Sequence, residues 1–178
     1  AMARNGQVSR GTTAVAMRRM ADADPELAAR LVLQSLPAAA AGLPAGLSYR
    51  LELENLGAWR VESRGDRAEV SEVDGGGDLN GEAFAISTDA RTLARRAAGG
   101  NPIGALARGR LKLRGKRRKA LALRGLSQDA GPRDLARLGL PVDPDLLFRS
   151  LAYAIDPEWT RGHRFTVGYE LVGQGGGS

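Results

Sequence analysis

The sequence contains no cysteine and a single histidine, His163. The first absence excludes disulfides, thiol nucleophiles and cysteine-ligated metal sites. The second leaves imidazole chemistry resting on one side chain, which stands between Arg161 and Arg164 without an adjacent carboxylate or second ligand. His163 therefore reads as an exposed loop residue. Aromatic residues amount to 4% of the chain, and Phe84 is the only one between Trp59 and Phe148. That is too sparse to stack bases along the most basic part of the sequence, so nucleic acid is not expected as a partner. There is no run of about 18 apolar residues, so no membrane-spanning helix is expected. The start of the chain lacks the apolar centre of a signal peptide, which points to the cytoplasm. Neither a Walker-type phosphate loop nor a Gly-x-Ser-x-Gly elbow occurs. No enzyme activity, cofactor or metal is expected.

What is present indicates a folded protein. The 178 residues are enough for one ordinary core, and a 43% hydrophobic content spread along the chain suits a globular domain. Arginine outnumbers lysine 23 to 3, which with the abundant alanine and glycine reflects a GC-rich coding sequence rather than a function. The net charge of +6 is local: nine basic residues and no acidic ones lie between Arg108 and Arg124, leaving −3 for the rest.

The periodicity divides the chain into elements. A short helix is expected near 13–20, and a stronger one from Asp24-Pro25-Glu26, with Asp24 as cap, Pro25 at the first helical position and Pro37 as terminator. From Leu47 the period becomes two: Leu47, Tyr49, Leu51 and Leu53 alternate with Ser48, Arg50, Glu52 and Glu54. Two further strands, through Trp59 and Val61 and over 67–73, complete an antiparallel meander. "DGGGDLNG" reads as a glycine-rich hairpin loop before a fourth strand at 82–88. Its Asp74, Asp78, Asn80 and Glu82 superficially suggest a calcium loop, but that spacing would put Ala85 where a bidentate glutamate belongs. Thr88 is expected to cap the helix "DARTLARRAA". Further on lie a helical turn over 102–107, a strand over 109–114, a partly apolar helix over 116–124, helices near 132–138 and 144–155, and a last strand over 165–171.

Residues 47–126 resemble the sterol carrier protein 2 domain. The resemblance rests on the strand and turn ending in "GAW" at 57–59. It continues through "FAISTDARTLARRAAGGNPIGALARGRLKLRGKRRKALAL", where Pro102, Ala105, Leu106, Gly109, Arg110, Leu111, Leu113 and Gly115 keep the family's spacing. The match spans a little under half of the chain. It implies an α+β fold, a five-stranded, mostly antiparallel sheet with helices on one face, and an apolar pocket between them. Members of the family bind sterols, fatty acyl chains or phospholipids and carry or present them without chemistry. Trp59, Val61, Leu93, Ile103, Leu106, Leu111, Leu113, Leu121 and Leu123 are the expected lining. The same residues would serve equally as a filled core in an interaction or oligomerisation module, or in an accessory domain of a multidomain enzyme.

The basic segment fits a folded wall better than an arm. Its alternation sends Leu111 and Leu113 inward and leaves Arg110, Lys112, Arg114, Lys116, Arg117, Arg118 and Lys119 to face water, where they suit transient contact with an anionic membrane. The domain proper is expected over 24–126, with an N-terminal extension at 1–23 and a C-terminal one at 127–178. "LVLQSLP" at 31–37 and "LLFRSLA" at 146–152, followed by "LSYRLEL" at 47–53 and "FTVGYEL" at 165–171, suggest a partial repeat of the helix and first strand. A free alternating strand invites pairing, with its own sheet, a second copy or a missing second domain.

Overall fold

In the computed structural model, which describes residues 10–99, 108–127, 130–155, 157–163 and 166, helices α1 (Arg10–Ala23) and α2 (Pro25–Ala39) open the chain. Asp24 separates them and caps the second: its carboxylate accepts from the backbone N–H of Leu27 at 3.0 Å, and Pro25 fills a position where no N–H is needed. Helix α2 runs past Pro37 instead of ending there. Proline removes only its own bond to the carbonyl one turn back, and close to a C-terminus the ladder has little left to lose. The Ala40 N–H still reaches the Leu36 carbonyl at 2.9 Å.

Strands β1 (Ser48–Leu53), β2 (Gly57–Ser63) and β3 (Ala68–Val73) form the expected meander, with Tyr49 opposite Val61 and Val61 opposite Val70. The tight turn between β1 and β2 requires positive φ at Asn55 (63°) and Gly57 (127°), which these residue types tolerate. Strand β4 (Phe84–Thr88) lies parallel to β1, and β5 (Leu111–Gly115) pairs antiparallel with β4, so the order is β3-β2-β1-β4-β5. The fold is α+β with a five-stranded sheet, antiparallel except for β1–β4 among the described residues.

That order corrects the reading of "DGGGDLNG". Strands β3 and β4 are not neighbours, so residues 74–83 form a crossover to the far side of β1 rather than a hairpin. Parallel connections usually need a dozen or more residues and a helix. Here a glycine-rich strap makes the passage across the face of the sheet that the helices leave free. A second correction concerns helix α3 (Ala90–Ala97). Its cap is Asp89, whose carboxylate accepts from the Thr92 N–H at 2.8 Å and the Thr92 hydroxyl at 2.6 Å. Thr88 is still strand, and its hydroxyl donates to the Arg110 carbonyl at 2.9 Å.

After β5 comes a 3₁₀ helix (Lys119–Gly125), tighter than the α-helical spacing expected there, then α4 (Pro132–Arg137), α5 (Pro144–Ala154) and the short α6 (Pro157–Thr160). Helix α2 is the middle layer. Ala29, Leu33, Leu36 and the following Ala40 pack toward the sheet. Leu27, Ala28 and Leu31 pack the other way, with Met20, Ala21, Ala94, Leu146 and Tyr153 of α1, α3 and α5. The segments read as extensions thus cover α2, and Arg149 of α5 reaches the Asp24 carboxylate at 3.4 Å. Apart from Thr166, the strand expected over 165–171, on which the partial repeat depends, lies outside the described residues, as does the helical turn at 102–107. Among the described residues no helix is long and apolar enough to cross a membrane.

Candidate functional site: the helix-facing side of the sheet

Residues directly opposite across paired strands share a face, so the registers define three rows beneath the helices. The first, Val70–Val61–Tyr49–Phe84–Gly115, is tightly filled at its centre. Val61, Tyr49 and Phe84 are buried, and the Tyr49 and Phe84 rings stack with centroids 5.3 Å apart. Burial pushes the Tyr49 phenol pKa upward. Leu43, Leu47 and Ala68 belong to the same buried cluster and close this end. The second row is Glu72–Trp59–Leu51–Ile86–Leu113, and the third Gly57–Leu53–Thr88–Leu111. In the second row only Leu51 is buried; Trp59, Ile86 and Leu113 are half-buried, although all three pack against the core. Leu56, Leu93, Ala120, Ala122, Leu123 and Leu126 are likewise half-buried against that cluster. The apolar face is therefore filled along its first row and at Leu53 and Thr88 of the third, and keeps a partly accessible strip at Trp59, Ile86 and Leu113 between them.

The residues expected as lining divide accordingly. Trp59, Leu93, Leu113 and Leu123 converge on one cluster, and Leu111 is half-buried opposite Thr88. Val61 is fully buried in the filled row. Leu121 is 56% exposed and points away from the core, which corrects its expected inward placement. A 3₁₀ helix repeats every three residues: Ala120 and Leu123 share one edge and Ala122 lies on a second, both against the core, which leaves Leu121 on the third. Ile103 and Leu106 lie outside the described residues. The alternation in β5 holds: Leu111 and Leu113 are half-buried, while Lys112 and Arg114, with Arg110 just before them, are exposed. Lys116, Arg117, Arg118 and Lys119 are exposed too, and so is His163.

The opposite face carries charge. Arg50 and Arg60 sit directly opposite each other on β1 and β2, a like-charge pairing that costs stability unless something intervenes. Glu82 intervenes: its Oε1 accepts from Arg60 Nε at 2.9 Å and from Arg50 Nη2 at 3.3 Å, and its side chain is 0% exposed. Arg50, 3% exposed, also donates to the carbonyls of Gly77 (3.3 Å) and Asp78 (2.9 Å), and Arg60 to that of Asn80 (3.2 Å). The strap is thus pinned to the sheet by its own carbonyls. Burial pushes the Glu82 carboxyl up, but its own backbone N–H and the two guanidiniums outweigh this, so its pKa lies below the ordinary range. Glu52 behaves alike: burial raises it, and the Ser87 hydroxyl, Arg114 (2.6 Å) and the Gly76 N–H lower it further. Of the side chains that suggested a calcium loop, Glu82 faces guanidiniums, and Asp78 and Asn80 offer them backbone carbonyls. Among the described residues no group of three or more His, Asp or Glu converges as a metal site.

No family model matches the sequence, nor does any curated protein. Solved structures that it resembles include a ubiquinone synthesis protein, UbiJ-SCP2, at 17% identity and a TM-score of 0.33, covering 51% of this chain and 75% of that one. Sterol carrier protein 2 from Yarrowia lipolytica in its apo form matches at 17% identity and a TM-score of 0.35, over 72% of this chain and 99% of that one. The chain is similar to sterol carrier protein 2 structures. A GCN5-related N-acetyltransferase from Kribbella flavida matches at 19% identity and a TM-score of 0.36, over 53% of this chain but 25% of that one.

Two sets of residues in this arrangement escaped the sequence reading. Ile86 was legible, since it alternates with Phe84 and Thr88. Leu33, Leu56 and Leu126 were not, because which helix side or turn covers a sheet depends on topology. The Arg50–Glu82–Arg60 cluster left one signal, two arginines brought face to face by the meander register.

Proposed function

We propose that the protein binds a hydrophobic ligand (a sterol, a fatty acyl chain or a phospholipid) along the half-buried strip, and carries or presents it without chemistry. The observation that supports this is the second row. A sheet face whose sole purpose is packing ends in rows like the first, whereas Trp59, Ile86 and Leu113 keep accessible apolar surface beside Leu93 and Leu123. A ligand methylene buried there contributes about 0.8 kcal/mol, so an acyl chain needs no charged partner to bind well.

The test is native mass spectrometry of protein purified from cells, joined to titration with a fluorescent fatty acid. Bound lipid and saturable fluorescence are expected. Leu113→Gln should weaken the fatty acid about tenfold, since an unpaired amide facing hydrocarbon costs about 1–3 kcal/mol. Absence of both copurified lipid and fluorescent binding would leave an interaction module with a filled core as the better reading.

A further inference from the structure

We propose that the 3₁₀ segment docks the protein on anionic lipid bilayers through one exposed edge, Arg118–Leu121–Arg124. In a 3₁₀ helix positions three apart eclipse each other. Ala120, Leu123 and Leu126 make the inner edge, packed against the core cluster. Arg118, Leu121 and Arg124 then fall on a common outer edge, and all three are exposed. The result is an apolar side chain flanked on both sides by guanidiniums. Bilayer-surface binding combines the same two elements, an apolar group entering the headgroup boundary and cations meeting lipid phosphates.

The surroundings reinforce this edge. From Arg108 to Gln128 there is no acidic residue. Among the described residues Arg114 is held by Glu52 and Arg110 acts on Asp89, whereas Lys112, Lys116, Arg117, Arg118, Lys119 and Arg124 have no ion pair. The segment is also anchored, because the Ser127 N–H donates to the Ala39 carbonyl at 2.9 Å. An anchored cationic edge with a leucine at its centre complements an anionic lipid surface. A polynucleotide would favour aromatics for stacking, and none lies between Phe84 and Phe148.

This deepens the carrier role and rests on it, yet the two are separable, because docking is read on vesicles and ligand binding on a fluorescent fatty acid in solution. The full chain is sedimented with vesicles of phosphatidylcholine, with and without phosphatidylserine. Retention is expected on the anionic vesicles alone and should fall with added salt. Arg118→Gln with Arg124→Gln should weaken it about 25-fold, about fivefold per cation. Leu121→Ala should weaken it on the order of tenfold without altering the salt dependence. All three positions are exposed, so thermal melts should match the parent and fatty-acid binding should persist. Equal retention on neutral vesicles, retention unchanged in these variants, or preference for single-stranded RNA over the vesicles overturns the proposal. Loss of fatty-acid binding with vesicle docking intact overturns the carrier role and leaves the docking edge standing.

Discussion

Replacing Glu82 by alanine removes the anion that separates Arg50 from Arg60. Taking one partner from a buried ion pair costs about 3–5 kcal/mol, because the other charge is left in a poor dielectric environment. Three features of the site place this case at the low end. Arg50 keeps the carbonyls of Gly77 and Asp78, and Glu52 already stands 4.0 Å from its Nη1. Arg60 is 36% exposed on its side chain, so water recovers much of its loss. The expected destabilisation is therefore about 3 kcal/mol, measured as a shift of the urea midpoint followed by tryptophan fluorescence, with the slope unchanged. Replacing Arg50 by methionine and Glu82 by leucine together should restore most of the loss, since no charge is then stranded. A loss below about 1 kcal/mol for Glu82→Ala would refute the reasoning, because it would mean that the cluster is solvated like a surface pair.

Gly115→Ala should cost about 2–4 kcal/mol in a thermal or urea melt. The added Cβ would meet the Ala83 carbonyl at 2.8 Å and Phe84 Cα at 2.9 Å, at a φ of +89°; a neutral result would show that the β4–β5 edge can shift. Asp24→Ala should cost about 1 kcal/mol by removing the α2 cap together with the partner of Arg149. Stability should also depend on pH at both ends. Glu82, Glu52 and Asp89 have lowered pKa values when folded, so their contribution is complete above the ordinary carboxylate range and disappears as pH falls through and below about 4. The Tyr49 phenol is raised, so its contribution holds below about pH 10 and is lost as pH rises beyond it. Urea midpoints across pH check both limbs, and Glu82→Gln should flatten the acid one.

The strands were legible because alternation is a property of the chain itself: Tyr49, Leu51 and Leu53 had to share a face, and they do. Alternation assigns a face but not a neighbour. The parallel β1–β4 pairing, and with it the crossover of residues 74–83, could not be read from spacing. Leu121 was misplaced for a different reason. A run of Ala and Leu fits α and 3₁₀ pitches alike, and the pitch decides which leucine faces water. The helices raise the converse problem. Asp24-Pro25-Glu26-Leu27 and Asp143-Pro144-Asp145-Leu146 start α2 and α5 in the same way, and each carries an arginine four residues after its acid, Glu26–Arg30 at 2.8 Å and Asp145–Arg149 at 3.8 Å. This alignment differs from the Leu31–Leu146 pairing by four positions, about one helical turn.

The crossover also explains why one strand carries both the deepest apolar residues and a buried arginine. To place β4 beside β1 in parallel, the chain must return over the face that the helices do not cover. Strand β1 is then covered on both sides, by α2 above and by the strap beneath. Its helix-facing positions, Tyr49, Leu51 and Leu53, need apolar partners. Its strap-facing position, Arg50, has to satisfy backbone carbonyls that lie where water would otherwise have been. A guanidinium answers this need because it presents several donors in a fixed plane, which a lysine at position 50 would not. The Arg50–Glu82–Arg60 charges thereby lie on one face, while on the other the row from Trp59 through Leu51 and Ile86 to Leu113 is apolar, with Glu72 only at its outer end on β3. A hydrophobic ligand on that strip would rest on a strand locked from below, so binding it would require little reordering of the floor.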